Sequence, residues 1–376
     1  MAFSALRTLS SSRNSASRRR PRAPLRPGAE VLEGRQLLST LVVDNNPADQ
    51  APYTTIQAAV DAAESGDTIS VAPGIYTEQV TVPVAKNNLT IVSQQLGAAE
   101  IAAPATLTGA PDIVRISANA VTLENFTISG PSDGIEAGIR IDGGGSATVR
   151  DNLITQIYGS VFGAGQGVGV LIRGGNGTIS DNTITQYEKA GIVVDGASSS
   201  AGIAGNLVVG VGPTDAIGQD GIQISNGAHG SIVNNDVSQN IYSPQEYVAA
   251  GILLFNAAPT TVVANTATQN DVGILVSGTK GATLFNNDLS DSTFDGIELR
   301  DGTTYTVVSS NHSHDNQLDG IYIDATAMNN TITRNVLMQD GNLDAEDLST
   351  GTGTAGTANT WSKNALTTSS PSSLHG

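Results

Sequence analysis

Residues 251–300 read GILLFNAAPTTVVANTATQNDVGILVSGTKGATLFNNDLSDSTFDGIELR, and this stretch decides the fold. A Gly-Ile pair opens three alternating runs, at Gly251, Gly273 and Gly296. Asn265 and Asn287 each follow their glycine by 14 residues. Alternation of apolar and other residues has a period of two, the signature of a short strand with one face turned inward. Recurrence every 22 or 23 residues is self-similarity of the kind that stacked architectures show.

The pattern extends outward in both directions. Related runs begin at Gly138, Gly169, Gly191, Gly221 and Gly320, so that successive spacings are 31, 22, 30, 30, 22, 23 and 24. A matching asparagine series runs through Asn125, Asn152, Asn182, Asn206, Asn235, Asn265, Asn287, Asn311 and Asn335. Leucine-rich repeats share the length but need Leu-x-x-Leu-x-Leu, which these coils lack. The expectation is an all-β solenoid of about 22–24-residue coils, each with about three strands. Ile139, Ile141, Ile192, Ile222, Ile224, Ile252, Ile274, Ile297 and Ile321 should share one core. The asparagine is expected at a turn, tolerating left-handed backbone while its amide bonds the next one up the stack. The glycine is expected to ease a tight corner.

Composition agrees. There are 42 Gly and only 4% aromatic residues, as a narrow interior of small and β-branched side chains requires. No run of about 18 apolar residues offers a membrane span. Cysteine is absent, which excludes disulfides, thiolate metal sites and a cysteine nucleophile. Residues 1–40 carry eight Arg and two Glu, a net +6, whereas the whole chain is −17, leaving −23 on residues 41–376. Such a domain repels nucleic acid and anionic membranes. It would also repel an acidic polysaccharide unless a cation such as Ca²⁺ bridged the two.

Residues 1–40 read as a basic, disordered leader. VLEGRQLLST (31–40) resembles a Leu-Glu-x-Arg-x-Leu-Leu-Ser element of bacterial surface and secreted proteins, which implies an extracellular or cell-surface location. The solenoid domain is expected over 41–366, with a capping helix over 53–66, a C-terminal cap over 340–364 and a disordered tail over 367–376. In the capping helix, Ile56, Ala59, Val60 and Ala63 form an apolar stripe, Thr54 or Thr55 supplies the N-cap and Gly66 the stop. Trp361 is expected to pack on the far end.

YTTIQAAVDAAESGDTISVAPGIYTEQVTV (53–82), the Gly-Ile and Asn-x-Ile coils and GTGTAGTANTWSKN (351–364) together resemble the pectin-lyase-like right-handed parallel β-helix superfamily over roughly residues 41–364. The resemblance implies the right-handed fold. It implies no single activity, because the superfamily spans lyases, hydrolases, esterases, epimerases and non-catalytic surface proteins. Asp220 in QDGIQIS and His229 in GAHGS resemble fragments of the polygalacturonase pattern, but the neighbouring coil reads AAGILLF and lacks the required acid pair. The Asp-Pro-His element of alginate epimerases and the Gly-x-x-Asp-Phe element of pectin methylesterases are absent.

Loop lengths point to a site. The distance from a ladder asparagine to the next strand glycine is long in three places, 152→169, 206→221 and 235→251. Insertions at one corner of a solenoid wall one face. These bring Tyr158, Phe162, Asp215, Tyr242, Glu246 and Tyr247, the residue types that stack on and hydrogen-bond to sugars. The bland alternative is that the loops cover Leu253 and Phe255. Four residues after each glycine lies an outward column containing Asp142, Arg173 and Asp195 on consecutive coils. It reads either as a surface ion ladder or as a clamp, with Arg173 the cation and candidate catalytic residue. Asp142, Asp195, Tyr158, Asp220, Tyr242, Glu246 and Tyr247 are then the candidate substrate contacts, and Asp142 and Asp195 the candidate Ca²⁺ ligands. His312 and His314 in NHSHDN, one coil beyond Asp288, are a weaker cluster, as are Asp340, Asp344, Glu346 and Asp347. The sequence therefore points to a polysaccharide-binding protein, in an enzymatic version a uronate lyase or epimerase. A non-catalytic structural or adhesive surface module is the alternative.

Overall fold

A computed structural model describes residues 38–244 and 247–375. The leader reading of residues 1–37 lies outside the described residues, as does candidate Glu246. Among the described residues all sheet pairings are parallel and fall into three long sheets of 12, 13 and 11 strands. One coil passes through each in turn: Val272–Ser277 in the 12-stranded sheet, Thr283–Phe285 in the 13-stranded sheet, Asp288–Ser290 in the 11-stranded sheet. We call these sheets 1, 2 and 3. The Gly-Ile strands all lie in sheet 1. Their register stacks Ile139, Val170, Ile192, Ile222, Ile252, Ile274, Ile297 and Ile321 in one column. These side chains are fully buried in a single core running from Leu41 to Leu374.

The asparagine ladder runs between sheets 2 and 3. Asn152, Asn182, Asn206, Asn235, Asn265, Asn287, Asn311, Asn335 and Asn364 are linked by amide-to-amide bonds of 2.9–3.1 Å. Two details differ from expectation. Asn125 is not a rung: Phe126 holds the equivalent place and its N–H donates to Asn152 Oδ1 at 3.0 Å. The left-handed residue is also not the rung itself but the one before it, as at Asp151, Asp181, Asn234, Ala264 and Asn286. Separating the tasks lets the preceding position take the turn while the buried amide satisfies backbone groups on its own coil and the preceding one, as Asn265 does for Val263 O, Ile232 O and Asn235 N.

The strand glycines also serve a different purpose from the one expected. A Cβ on Gly251 would stand 2.8 Å from Gly273 O, and one on Gly273 would stand 2.6 Å from Gly296 O. Close approach of one coil's backbone to the next, rather than corner geometry, requires glycine here.

At the N-terminal end, strand Thr40–Val43 starts sheet 2 and helix Ile56–Ala62 packs Ile56, Ala59 and Val60 onto the core. The helix is shorter than 53–66. Thr55 Oγ1 accepts from Ala58 N, and the Glu78 carboxylate accepts from Ile56 N and Gln57 N. At the other end, residues 340–364 add another coil rather than a separate cap. Ala345–Asp347 extends sheet 1 and Thr360–Ser362 extends sheet 2, with Trp361 stacked on Ile332. Trp361 is 2% exposed and its Nε1 donates to Asp347 Oδ2 at 2.8 Å. The tail expected over 367–376 is ordered over the described part. Ser369–Ser370 pairs with Ala345 and Glu346, and Leu374 closes the core because the last coil still has an apolar edge to cover.

Candidate functional site

The three insertions enter between sheets 3 and 1, as the loop lengths require. Each is tied down by a buried polar side chain. Glu188 Oε1 accepts from Gly163 N at 2.6 Å and Gly165 N at 2.9 Å, and Oε2 accepts from Gly167 N. Gln219 Oε1 accepts from Val211 N while its amide donates to Tyr187 O. Asp271 Oδ2 accepts from Tyr242 N at 2.9 Å and Ala249 N at 3.1 Å, and Oδ1 accepts from Thr293 Oγ1. Asp271 thereby joins both ends of the 240–249 loop on one carboxylate. Burial pushes its carboxyl up, against the opposing pull of Thr293 and the backbone donors.

A second asparagine ladder supports the same corner. Asn240 Nδ2 donates to Asn270 Oδ1 at 2.9 Å, and Asn316 Nδ2 to Asp340 Oδ1 at 2.9 Å. The buried Tyr187 hydroxyl donates to Asn240 Oδ1. The signal was in the sequence: Asn240, Asn270 and Asn316 each follow a rung of the first ladder by five residues.

Between the loops and sheet 1 lies a cleft of about 560 Å³ lined by Lys189, Ile217, Tyr242, Tyr247, Val248 and Arg300, among others. Tyr242 and Tyr247 meet edge to face, with ring centroids 5.2 Å apart and an interplanar angle of 76°. Tyr242 is buried and Tyr247 is 65% exposed. Val248 packs against Ala250, Val272 and Leu275 beside Leu253, so the loop also covers apolar sheet surface. Phe255 stays 42% exposed.

Charge in the cleft runs against the rest of the domain. Residues 41–376 hold ten Lys and Arg, and two of these, Lys189 and Arg300, face this cleft. Lys189 Nζ donates to Gly218 O at 2.7 Å and lies 3.5 Å from Asp220 Oδ2. Asp220 is 4% exposed, so it supports Lys189 from below; burial pushes its carboxyl up and Lys189 pulls it down. Arg300 pairs with Glu298 at 3.2 Å and Asp301 at 3.3 Å. Beside Arg300 lies an acidic row in which Glu298 and Glu346 stand in register on either side of Tyr322, with Asp295 close by.

The sequence candidates fall into separate groups. Tyr242, Tyr247 and Asp220 belong to the cleft or its floor. Tyr158 packs edge to face on Phe162 at 5.7 Å, beside a second hollow lined by Thr185, Gln186 and Val209 to Val211, on the sheet 3 side of the corner. Asp142, Arg173 and Asp195 are in register on consecutive coils, as expected, in the column that Arg300 joins further along the stack, but these three do not line the cleft. Arg173 pairs with Asp195 at 3.0 Å and Glu136 at 3.2 Å, whereas Asp142 turns to Arg115 and Ser117. Asp195 Oδ1 accepts from Ser225 and Asn226. Each carboxylate is committed to protein donors and Arg173 stands between them, so these residues do not fit a Ca²⁺ site. His229 lies in sheet 2 and does not meet Asp220. Sequence reading missed Lys189, Glu188 and Asp271; a lysine immediately before a Gly-Ile strand in so acidic a domain was the signal for the first.

One carboxyl has a measurable signature. Burial pushes Asp295 up to about 8, with Glu298, Asp319 and Glu346 adding to the effect against the Asp319 backbone N–H. A folded value above the unfolded one, about 3.9, means that the native state binds the extra proton between the two. This contribution to stability is therefore full below pH ~4 and lost as pH rises through 8. Asp295→Asn should flatten that fall, raising urea stability at pH 8.5 more than at pH 4. Equal changes at both values would remove Asp295 as the source.

A family model described as "Right handed beta helix region" matches residues 112–289 and 215–367. None of the curated protein sequences matches the chain. Among solved structures, the A-module of the Azotobacter vinelandii mannuronan C-5 epimerase AlgE6 is 16% identical, with 82% of this chain and 93% of that one covered and a TM-score of 0.53. The corresponding module of AlgE4 from the same organism is 15% identical, with 76% and 91% covered and a TM-score of 0.51. XylC, solved in complex with xylose, is 11% identical, with 80% and 75% covered and a TM-score of 0.57. At such identities the likeness is one of fold.

Proposed function

Given that the chain belongs to the right-handed β-helix family, we propose that the loop-walled cleft on sheet 1 binds an anionic polysaccharide of the uronic-acid class. One observation carries the reading: Lys189 and Arg300 meet the Tyr242–Tyr247 pair in one cleft of a chain whose net charge is −17. Tyrosine rings offer flat apolar faces and hydroxyls to sugar rings. The cations offset, locally, the repulsion that so acidic a domain exerts on a polyanion. The names of the structural neighbours, two mannuronan epimerases and a protein solved with xylose, support a carbohydrate ligand. The role first given to Arg173 passes to Lys189 and Arg300, since Arg173 lies off the cleft. Export to the cell surface is part of this proposal and rests on the VLEGRQLLST element alone.

In an enzymatic version, a cation at the sugar carboxylate stabilises the charge that develops when the C5 proton leaves. A lyase then forms the C4–C5 double bond as the C4–O bond breaks and the departing oxygen takes up a proton, leaving an unsaturated uronate, whereas an epimerase returns the proton to the other face of C5. The test is a panel of polyuronates and neutral polysaccharides, with absorbance followed for unsaturated ends and proton exchange at C5 followed by NMR. Binding to polyuronates but not to neutral polymers is expected. Failure to bind any polyuronate would favour the structural surface module instead.

A further inference from the structure

Sheet 3 carries a separate cluster on its outer face, away from the cleft. His312 and His314 occupy alternate positions of strand His312–His314, so both point outward while Ser313 between them is fully buried. Asp288 opens the preceding strand of the sheet and is in register with His312. His312 Nδ1 lies 3.1 Å from Asp288 Oδ1, and His314 Nε2 lies 3.3 Å from the same oxygen. The ligand atoms of all three residues lie within 4.8 Å of one another. A tetrahedral ion with metal–ligand bonds of 2.0–2.1 Å has ligand–ligand edges of about 3.3 Å, so two of the edges are already in place.

The surroundings orient the ligands. His314 Nδ1 lies 2.7 Å from Asp315 Oδ2. When Nδ1 carries the proton of that contact, the Nε2 lone pair faces the Asp288 carboxylate and is free to bind a cation there. Carboxylate, imidazole and metal arranged in this order are a common means of fixing a ligand's tautomer. Two nitrogens and one oxygen suit zinc and its neighbours, whereas Ca²⁺ takes six to eight oxygens. The side chains of Asp288, His312 and His314 are 56%, 43% and 24% exposed, which leaves the remaining coordination positions open to water.

We propose that Asp288, His312 and His314 form a binding site for a divalent transition metal of the zinc class, with Asp315 as the residue that positions His314. The site is independent of the glycan reading, since it lies on another sheet and shares no residue with the cleft.

The test uses the full chain, stripped with a chelator and titrated with Zn²⁺ alone by calorimetry. One saturable site is expected. His312→Ala and His314→Ala should each weaken it at least tenfold, and Asp315→Asn by about ten- to a hundredfold. His229→Ala, on sheet 2, should leave it unchanged. Co²⁺ in place of Zn²⁺ should give the intense visible absorption of a four-coordinate ion, lost in His314→Ala. Circular dichroism checks that each variant is folded, and Asp288→Asn, the mildest change, serves if an alanine variant is not. Absence of saturable Zn²⁺ uptake, or uptake that survives the His312→Ala/His314→Ala double substitution, would overturn the proposal.

Discussion

Asn265→Ala should lower the free energy of unfolding by about 3–5 kcal/mol, the effect of stranding several buried polar groups at once. Asn265 Nδ2 donates to Asn287 Oδ1 and to Ile232 O, while Oδ1 accepts from both the backbone and the side-chain nitrogen of Asn235. An alanine satisfies none of these, and the rung is 1% exposed, so water does not replace it. Urea unfolding followed by circular dichroism measures the loss. The folded variant should keep its affinity for glycan, because this coil carries no insertion. A loss below about 1 kcal/mol would show that neighbouring coils relax to share the missing bonds.

The second large effect is expected from Asp271→Ala. This carboxylate joins the N–H groups of Tyr242 and Ala249, the two ends of the loop that carries Tyr247 and Val248. Its removal takes a buried acceptor away from two backbone donors, a loss of about 1–3 kcal/mol for each bond not replaced. The loop then loses its anchor, and a cleft wall that must be re-ordered on binding costs affinity. We expect at least a tenfold loss of polyuronate affinity together with a lowered melting temperature. Asp271→Asn, which keeps one acceptor oxygen, should fall between wild type and alanine. Unchanged affinity in Asp271→Ala would show that the 240–249 loop is not a wall of the site.

The fold was legible because a solenoid repeats its instructions. The Gly-Ile strands and the asparagine rungs recur often enough that one misplaced member, Asn125, does not disturb the period. What each marker does was harder to read. The glycine is needed because the Gly273 carbonyl of the next coil passes over Gly251, a contact between residues 22 apart in sequence that spacing alone does not reveal. The rung and the left-handed turn are adjacent residues, Asn152 and Asp151, and a sequence reading merges them.

The site was legible only as a corner. Loop lengths placed the insertions correctly, but which way each loop leans depends on its anchors. Glu188 and Asp271 lie one coil beyond the loops they hold, so their role follows from stacking rather than from local sequence. Tyr158 leans toward sheet 3 and Tyr242 toward sheet 1, although both come from the same corner. Arg173 attracted attention because it stands between two aspartates in its column. That same arrangement commits it to a surface ion ladder, worth about 1 kcal/mol at most in stability.

The central claim, that the Lys189–Arg300 cleft is the glycan site, is tested most directly by calorimetric titration with an oligouronate. Wild type, a Lys189→Ala/Arg300→Ala double variant and Arg173→Ala are compared, with melting temperatures measured in parallel. Loss of contacts from buried or half-buried cations costs on the order of 2 kcal/mol or more in binding. The account predicts at least a thirtyfold weaker affinity in the folded double variant, and wild-type affinity in Arg173→Ala. Wild-type affinity in the double variant, or loss of binding in Arg173→Ala alone, would contradict it.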